Sequence, residues 1–268
     1  MTSPIAPATP VFDALENALR SSEPVALATV VEGPHLGAKL LVRPGVAPAG
    51  TLGDVDLDRV VARDALGELE SGLTSTRHYG EHGEAREQTV SVFSESFALP
   101  PRMVIFGAVD FTAALAKAGK LLGYRVTVCD ARAVFATVAR FPMADEVVND
   151  WPDRYLHKVA DELGPRDAVC VLTHDHKFDV PAIVAALGTR VGFIGAMGSR
   201  RTHAQRVERL RDAGVTDEEI ARVMSPIGLD IGARTPEETA ISICAEIIAK
   251  RTGRVAPSLR DTAGPIHS

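Results

Sequence analysis

From residue 103 onward, short, largely apolar runs alternate with amphipathic ones, and this alternation restricts the fold more than any other feature of the chain. The runs MVIF (103–106), RVTVCD (125–130), DEVVN (145–149), AVCVLTH (168–174) and RVGFIGA (190–196) carry apolar residues at successive positions. A strand of that kind has to be covered on both faces, which predicts a parallel sheet enclosed by helices. Helical patterns occupy the gaps at 110–122, from Pro152, at 179–187 and at 199–213. Crossovers between such strands should be right-handed. A final helix starts at Thr235-Pro236-Glu237-Glu238, where an N-cap, a first-turn proline and a capping-box glutamate coincide. It should stop at Gly253 and leave 254–268 as a tail.

The first third follows another rule. Phe12, Leu15 and Leu19 recur at helical spacing over 10–20. PVALATVV (24–31) and AKLLV (38–42) read as strands, Gly50 to Gly53 as a turn, and Asp54 as the N-cap of a helix over 55–70. Two further strands are expected at 73–79 and 88–97. The Pro pair in SESFALPPR (94–102) marks a boundary near Leu99. The expected organisation is thus a small α+β domain over 1–98, an α/β domain over 99–253 and the tail.

Composition narrows the function. The chain has 268 residues, 46% hydrophobic and 24% charged, with a net charge of −6. It needs neither disulfides nor a structural metal to hold a core of this size. Without a basic block it is not expected to bind nucleic acid. Three scattered cysteines (Cys129, Cys170, Cys244) argue against a disulfide framework and a thiolate zinc site. No apolar run nears the roughly 18 residues of a membrane helix, and MTSPIAPATP lacks the features of a secretory signal. A cytoplasmic protein is expected.

Four loops could carry chemistry. Gly107-Ala108-Val109-Asp110 follows the first strand of the alternating region, where a dinucleotide-binding fold would read G-x-G-x-x-G. Only Gly107 stands at its expected place. Val109 fills the second glycine position, and the Asp110 carboxylate can cap the helix and repel a phosphate. Asp130 ends the second strand, where an acid that reads a ribose belongs. Gly195-Ala196-Met197-Gly198-Ser199-Arg200-Arg201 sets two glycines, a serine N-cap and two arginines at a helix start, which suits an anion. Thr173-His174-Asp175-His176-Lys177-Phe178-Asp179 lies at the carboxyl edge of the sheet. Its histidines are spaced for no particular metal geometry, and Asp179 can cap the next helix; no metal site is assigned. Ser225 to Gly232 is glycine-rich and reads either as a shaped connection or as a pocket wall. No nucleophile–base set stands out, and Cys129 and Cys170 fall inside strands, buried and inert.

Several long stretches together resemble the XdhC/CoxI family, maturation factors of molybdenum hydroxylases. They are LPPRMVIFGA (99–108), LGYRVTVCDAR (122–132), ARFPMAD (139–145), VLTHDHKFD (171–179), GFIGAMGSRR (192–201) and SPIGLDIGARTPEETAISICAEIIA (225–249). The resemblance implies a Rossmann-like domain behind a smaller N-terminal one. It implies a chaperone that receives the molybdenum cofactor as cargo, protects it, assists its sulfuration and inserts it into a hydroxylase of the xanthine or carbon monoxide dehydrogenase type. Implied partners are that apo-hydroxylase and a cysteine desulfurase; apart from the resemblance, a homodimer is the commonest default assembly. On this reading Gly107, Asp110, Asp130, His174, Asp175, Gly195, Gly198, Ser199 and Gly228 line the cofactor cleft, Arg200 and Arg201 hold its phosphate, and Asp130 accepts from a pterin or ribose. Two turns differ from the family pattern: Gly53-Asp54-Val55-Asp56 lacks a thiol, and Gly107-Ala108-Val109-Asp110 replaces Gly-x-Gly-His. The alternatives are an NAD(P)-dependent oxidoreductase, disfavoured by Val109 and Asp110, and a docking scaffold that has lost ligand binding.

Overall fold

The computed structural model describes residues 10–173 and 175–263. The chain divides after Leu99 into two compact units.

The first unit contains α1 (Pro10–Arg20), β1 (Val25–Glu32), β2 (Lys39–Arg43), β3 (Val46–Thr51), α2 (Val55–Ser71), β4 (Ser75–Tyr79) and β5 (Val90–Phe97). Its strands form one antiparallel sheet in the order β3-β2-β1-β5-β4. Alternation along β1 serves both faces. Ala26, Ala28 and Val30 pack with Leu57, Val61 and Leu69 of α2, while Val25 and Leu27 pack with Ala18 of α1. Asp54 caps α2 as expected, accepting from the Asp56 and Leu57 amides at 2.9 and 3.0 Å. Strand β3 is a correction, since its last residues fall where the sequence predicts a turn. The strand VAPAGT is almost wholly exposed, and an edge position tolerates its Pro48. The turn that makes it is Pro44-Gly45, with Gly45 at φ +70°, the pairing of proline and left-handed glycine found in a type II turn.

The second unit contains β6 (Arg102–Phe106), α3 (Asp110–Leu121), β7 (Arg125–Cys129), β8 (Glu146–Val148), α4 (Pro152–Val159), β9 (Ala168–Val171), α5 (His176–Leu187), β10 (Phe193–Ala196), α6 (Arg200–Asp212), α7 (Asp217–Ile220), β11 (Val223–Met224) and α8 (Pro236–Thr252). Six parallel strands run in the order β11-β10-β9-β6-β7-β8. Both faces are covered. Val104, Phe106, Val169 and Val171 point to a core shared with α4, α5 and α6. Met103, Ile105, Cys170 and Leu172 point to one shared with α3 and α8. The chain builds outward from β6 to β8, then returns to lay β9 against the other side of β6, with Phe106 opposite Val171. Ligands of open α/β sheets bind at the carboxyl ends of the strands beside such a reversal.

Three features differ from the sequence reading. Helix α5 starts at His176 with Asp175 as its N-cap, so Asp179 sits inside the first turn. Helix α7 and strand β11 are not expected from the sequence; four and two residues long, they are too short to show a period. The α8 start is as expected, since Thr235 and Glu238 form the full capping box.

Candidate functional site

The turn after β6 is drawn tightly against its neighbours. Gly107 adopts φ +105°, and a Cβ there would lie 2.9 Å from Thr173 Cγ2 and 3.0 Å from the Thr173 amide. A glycine is needed because the turns after β6 and β9 touch. Capping by Asp110 does not occur. The N-cap of α3 is Val109, whose side chain makes no capping bond, and Asp110 is exposed as the first helical residue. The amides of Asp110 and Phe111 therefore have no intrahelical acceptor.

Asp130 is buried, and both of its carboxylate oxygens are engaged by the protein. Oδ2 accepts from the Ala108 amide at 2.8 Å and Arg132 Nη2 at 2.8 Å, while Oδ1 accepts from the Arg132 amide and Nε, each at 2.9 Å. Burial raises its pKa, but the Arg132 guanidinium and the two amides outweigh that and hold it below the ordinary aspartate value. A carboxylate has about four acceptor positions, so the expected acceptance from a ribose or pterin has no place here. Asp130 instead clips the first turn to the end of β7.

Beyond β9, the Leu172 amide donates to Phe106 O at 2.8 Å, and the buried Thr173 hydroxyl donates to Asp179. His174 lies outside the described residues. Asp175 accepts from the Lys177 amide at 3.1 Å and pairs with Lys177 Nζ at 3.2 Å, so its first task is to cap α5.

The residue that gathers this edge is not one the sequence singles out. Arg206, on α6, is 2% exposed. Its Nη2 donates to Asp179 Oδ2 at 3.0 Å and Met197 O at 2.7 Å, and its Nη1 to Ser225 Oγ at 2.8 Å. One guanidinium thus joins α5 to the loops after β10 and β11, and through Asp179 and Thr173 it reaches the turn at Gly107. The signal that could have found it is spacing: Arg206 stands four residues before the buried Leu210, on the inward face of α6.

The 195–201 loop divides into two kinds of residue. Gly198 adopts φ +149° and leads to Ser199, whose hydroxyl accepts from the Thr202 amide at 3.1 Å. Arg200 and Arg201 are exposed, and their amides open α6 without intrahelical acceptors. Gly195 is a packing position, since a Cβ there would collide with Ile227 Cδ1. Gly228 is another. At φ +103° its Cβ would meet Ser242 Oγ at 2.5 Å, and its amide donates to the buried Glu246 at 2.7 Å. Of the two readings left open for 225–232, the shaped connection describes what Gly228 does.

In the first unit, Gly53-Asp54 borders a cleft of about 170 Å³ that also meets His35, Leu57 and Glu81. His82 Nδ1 lies 2.9 Å from Asp54 Oδ2, a pairing the sequence does not suggest. All three cysteines are buried; burial pushes the Cys129 thiol up to about 12 and Cys244 up to about 11, which keeps them protonated and unreactive. Among the described residues no group of three His, Cys, Asp or Glu side chains could hold a metal ion. No described helix is long and apolar enough to cross a membrane.

The carboxyl edge therefore offers free amides at α3 and α6 and two exposed arginines, while its buried acids Asp130 and Asp179 are already paired. That combination suits an anion.

Residues 103–247 match the XdhC Rossmann domain, and residues 18–80 match the model of the XdhC and CoxI family. Over 165 residues, 62% of this chain, the sequence is 33% identical to a probable xanthine dehydrogenase subunit from Bacillus subtilis (strain 168), of which the match covers 47%. Over 84 residues, 31% of this chain, it is 34% identical to the molybdenum cofactor insertion chaperone PaoD of Escherichia coli (strain K12), covering 26% of that protein. The chain spans less than half the length of the curated relatives it matches. The crystal structure of a xanthine dehydrogenase from Bacillus halodurans has the same fold, with a TM-score of 0.52 and 21% identity over 92% of this chain and 97% of that one. On the match over 103–247, which takes in the six-stranded sheet from Met103 through β11 and most of α8, the chain belongs to the XdhC and CoxI family.

Proposed function

We propose that this protein serves the maturation of a molybdenum hydroxylase, with the molybdenum cofactor as its cargo at the carboxyl edge of the parallel sheet. The observation that carries the reading is the pairing of open helix amides with the exposed Arg200 and Arg201, on a loop held by buried Arg206. The cofactor is an anionic pterin bearing a phosphate. Helix amides and arginine guanidinia are donors that suit such a group. A carrier must also release its cargo, and donors at an exposed loop hold a phosphate without enclosing it. The name of the PaoD relative supports the same assignment.

The finer steps belong to the same proposal: protection of the cofactor, its sulfuration with a cysteine desulfurase, and insertion into an apo-hydroxylase of the xanthine or carbon monoxide dehydrogenase type, carried out by a cytoplasmic homodimer. Binding of a dinucleotide in the usual pose is disfavoured, because Asp130 has no acceptor position left for a ribose.

Transfer tests the reading. Protein loaded anaerobically with the cofactor is added to a cofactor-free hydroxylase, and hydroxylase activity is followed. Activity that appears faster than with an equal amount of free cofactor is the expected result. Equal rates with and without the protein would overturn the carrier role.

A further inference from the structure

A second basic site lies farther along α6. Thr202 stands three residues before Gln205 and four before Arg206, and Arg209 three after Arg206 and four after Gln205, which puts them along one side of the helix. With His176, Asp179 and Val180 of α5 they line a cleft of about 240 Å³. From its geometry we infer that this cleft is a binding site for a phosphate monoester or diphosphate, distinct from the loop at Arg200 and Arg201.

Three observations carry the inference. First, the floor is charged but compensated: Arg206 and Asp179 pair at 3.0 Å. That leaves Arg209 as the lining cation with no ion-pair partner among the described residues, so the cleft has a net positive charge even with His176 neutral. Second, a guanidinium is fixed in the cleft wall. Three of the five N–H groups of Arg206 hold Asp179, Met197 and Ser225, so this buried cation keeps its position beside Arg209 whether or not an anion is bound. Third, neutral donors stand beside these charges. Thr202 Oγ1 lies 2.9 Å from Ser199 Oγ, and either can donate; when Ser199 donates, the Thr202 hydroxyl is free for an anion. The Gln205 amide adds two more N–H groups.

The site is separate from the proposed cofactor loop. Arg209 is nine residues after Arg200, about 13 Å along the helix axis at 1.5 Å per residue. One phosphate cannot satisfy both, so the inference stands or falls independently of the cofactor reading. Phosphate is favoured over a carboxylate because it offers three acceptor oxygens to this row of donors, where a carboxylate offers two.

The test is calorimetric titration of the full chain with pyrophosphate at fixed ionic strength, with sulfate and chloride for comparison. Pyrophosphate should bind more tightly than sulfate. Arg209→Gln and Gln205→Glu should each weaken it at least tenfold, with melting temperatures near that of the parent. Arg211→Gln, which removes an equal charge elsewhere on α6 where Arg211 pairs with Asp217, should change it less than twofold. The inference is overturned if the parent chain gives no pyrophosphate heat, or if sulfate binds equally well. It is also overturned if Arg209→Gln and Gln205→Glu bind like the parent, or if only Arg200→Gln with Arg201→Gln removes binding.

Discussion

Arg206 Nη2 lies 3.0 Å from Asp179 Oδ2, and the two side chains are 3% and 5% exposed. This pair is the junction through which α5, α6 and the loops after β10 and β11 meet. Removing one partner of a buried pair leaves the other charged and unsolvated, which costs about 3–5 kcal/mol. Arg206→Met and Asp179→Asn should each destabilise the second unit by that order in urea unfolding. The double variant Arg206→Met with Asp179→Leu should recover part of the loss, because neither charge is then stranded. Single-variant losses under about 1 kcal/mol would show that the pair does not brace the edge.

Asp130 and Arg132 set a pH dependence. The carboxyl of Asp130 is held below its ordinary value of 3.8 in the folded chain, so the folded state binds its proton less readily than the unfolded state. The resulting stabilisation is present above the unfolded value and is lost as pH falls through the folded one. Asp130→Asn should therefore cost about 2 kcal/mol at pH 7, with the gap to the parent closing below about pH 4. A gap that stays constant from about pH 7 to about pH 3 would mean that the charge on Asp130 contributes nothing.

Glycines at positive φ should separate by crowding. Gly123 and Gly228 adopt φ +81° and +103°, but a Cβ at Gly123 meets nothing within 4 Å, whereas one at Gly228 meets Ser242 Oγ at 2.5 Å. Gly123→Ala should cost about 1 kcal/mol, from backbone strain alone. Gly228→Ala should cost more than twice as much, since the Ser242 hydroxyl must also move off its 2.6 Å bond to Leu229 O. Equal losses in thermal unfolding would remove the packing role given to Gly228.

These contrasts follow what a sequence can and cannot express. Strands buried on both faces announce themselves by continuous apolar runs, and caps such as Asp54, Ser199 and Thr235 announce helix starts, because both signals are local. Strand β3 escapes a sequence reading because an exposed edge strand carries no apolar period. Asp179 reads as a cap because an acid near a helix start usually is one; only the fold brings Arg206, 27 residues later, to its side. Asp110 does not cap because it stands one position inside the helix, with Val109 at the N-cap. The Gly107, Thr173 and Met197 loops are each legible as candidate edges. That a single guanidinium gathers the loops after β10 and β11 is a tertiary fact.

The engagement of Asp130 predicts the response to dinucleotides. With Val109 in the turn and both Asp130 oxygens occupied, NAD+ and NADP+ at millimolar concentration should leave the melting temperature unchanged. A ligand present at about 100 times its dissociation constant would add about 2.7 kcal/mol, so a rise of several degrees would show that the site reopens and would revive a dinucleotide-dependent activity.

Cofactor retention tests the carrier role most directly. The chain is mixed anaerobically with free molybdenum cofactor, separated by size, and the protein fraction assayed for pterin by fluorescence after oxidation. The parent chain should retain the cofactor near-stoichiometrically. Replacing both Arg200 and Arg201 by Gln should weaken the affinity at least tenfold, with the fold intact by circular dichroism. No retention by a folded parent chain would contradict the carrier role, and equal retention by the double variant would contradict the placing of the phosphate on Arg200 and Arg201.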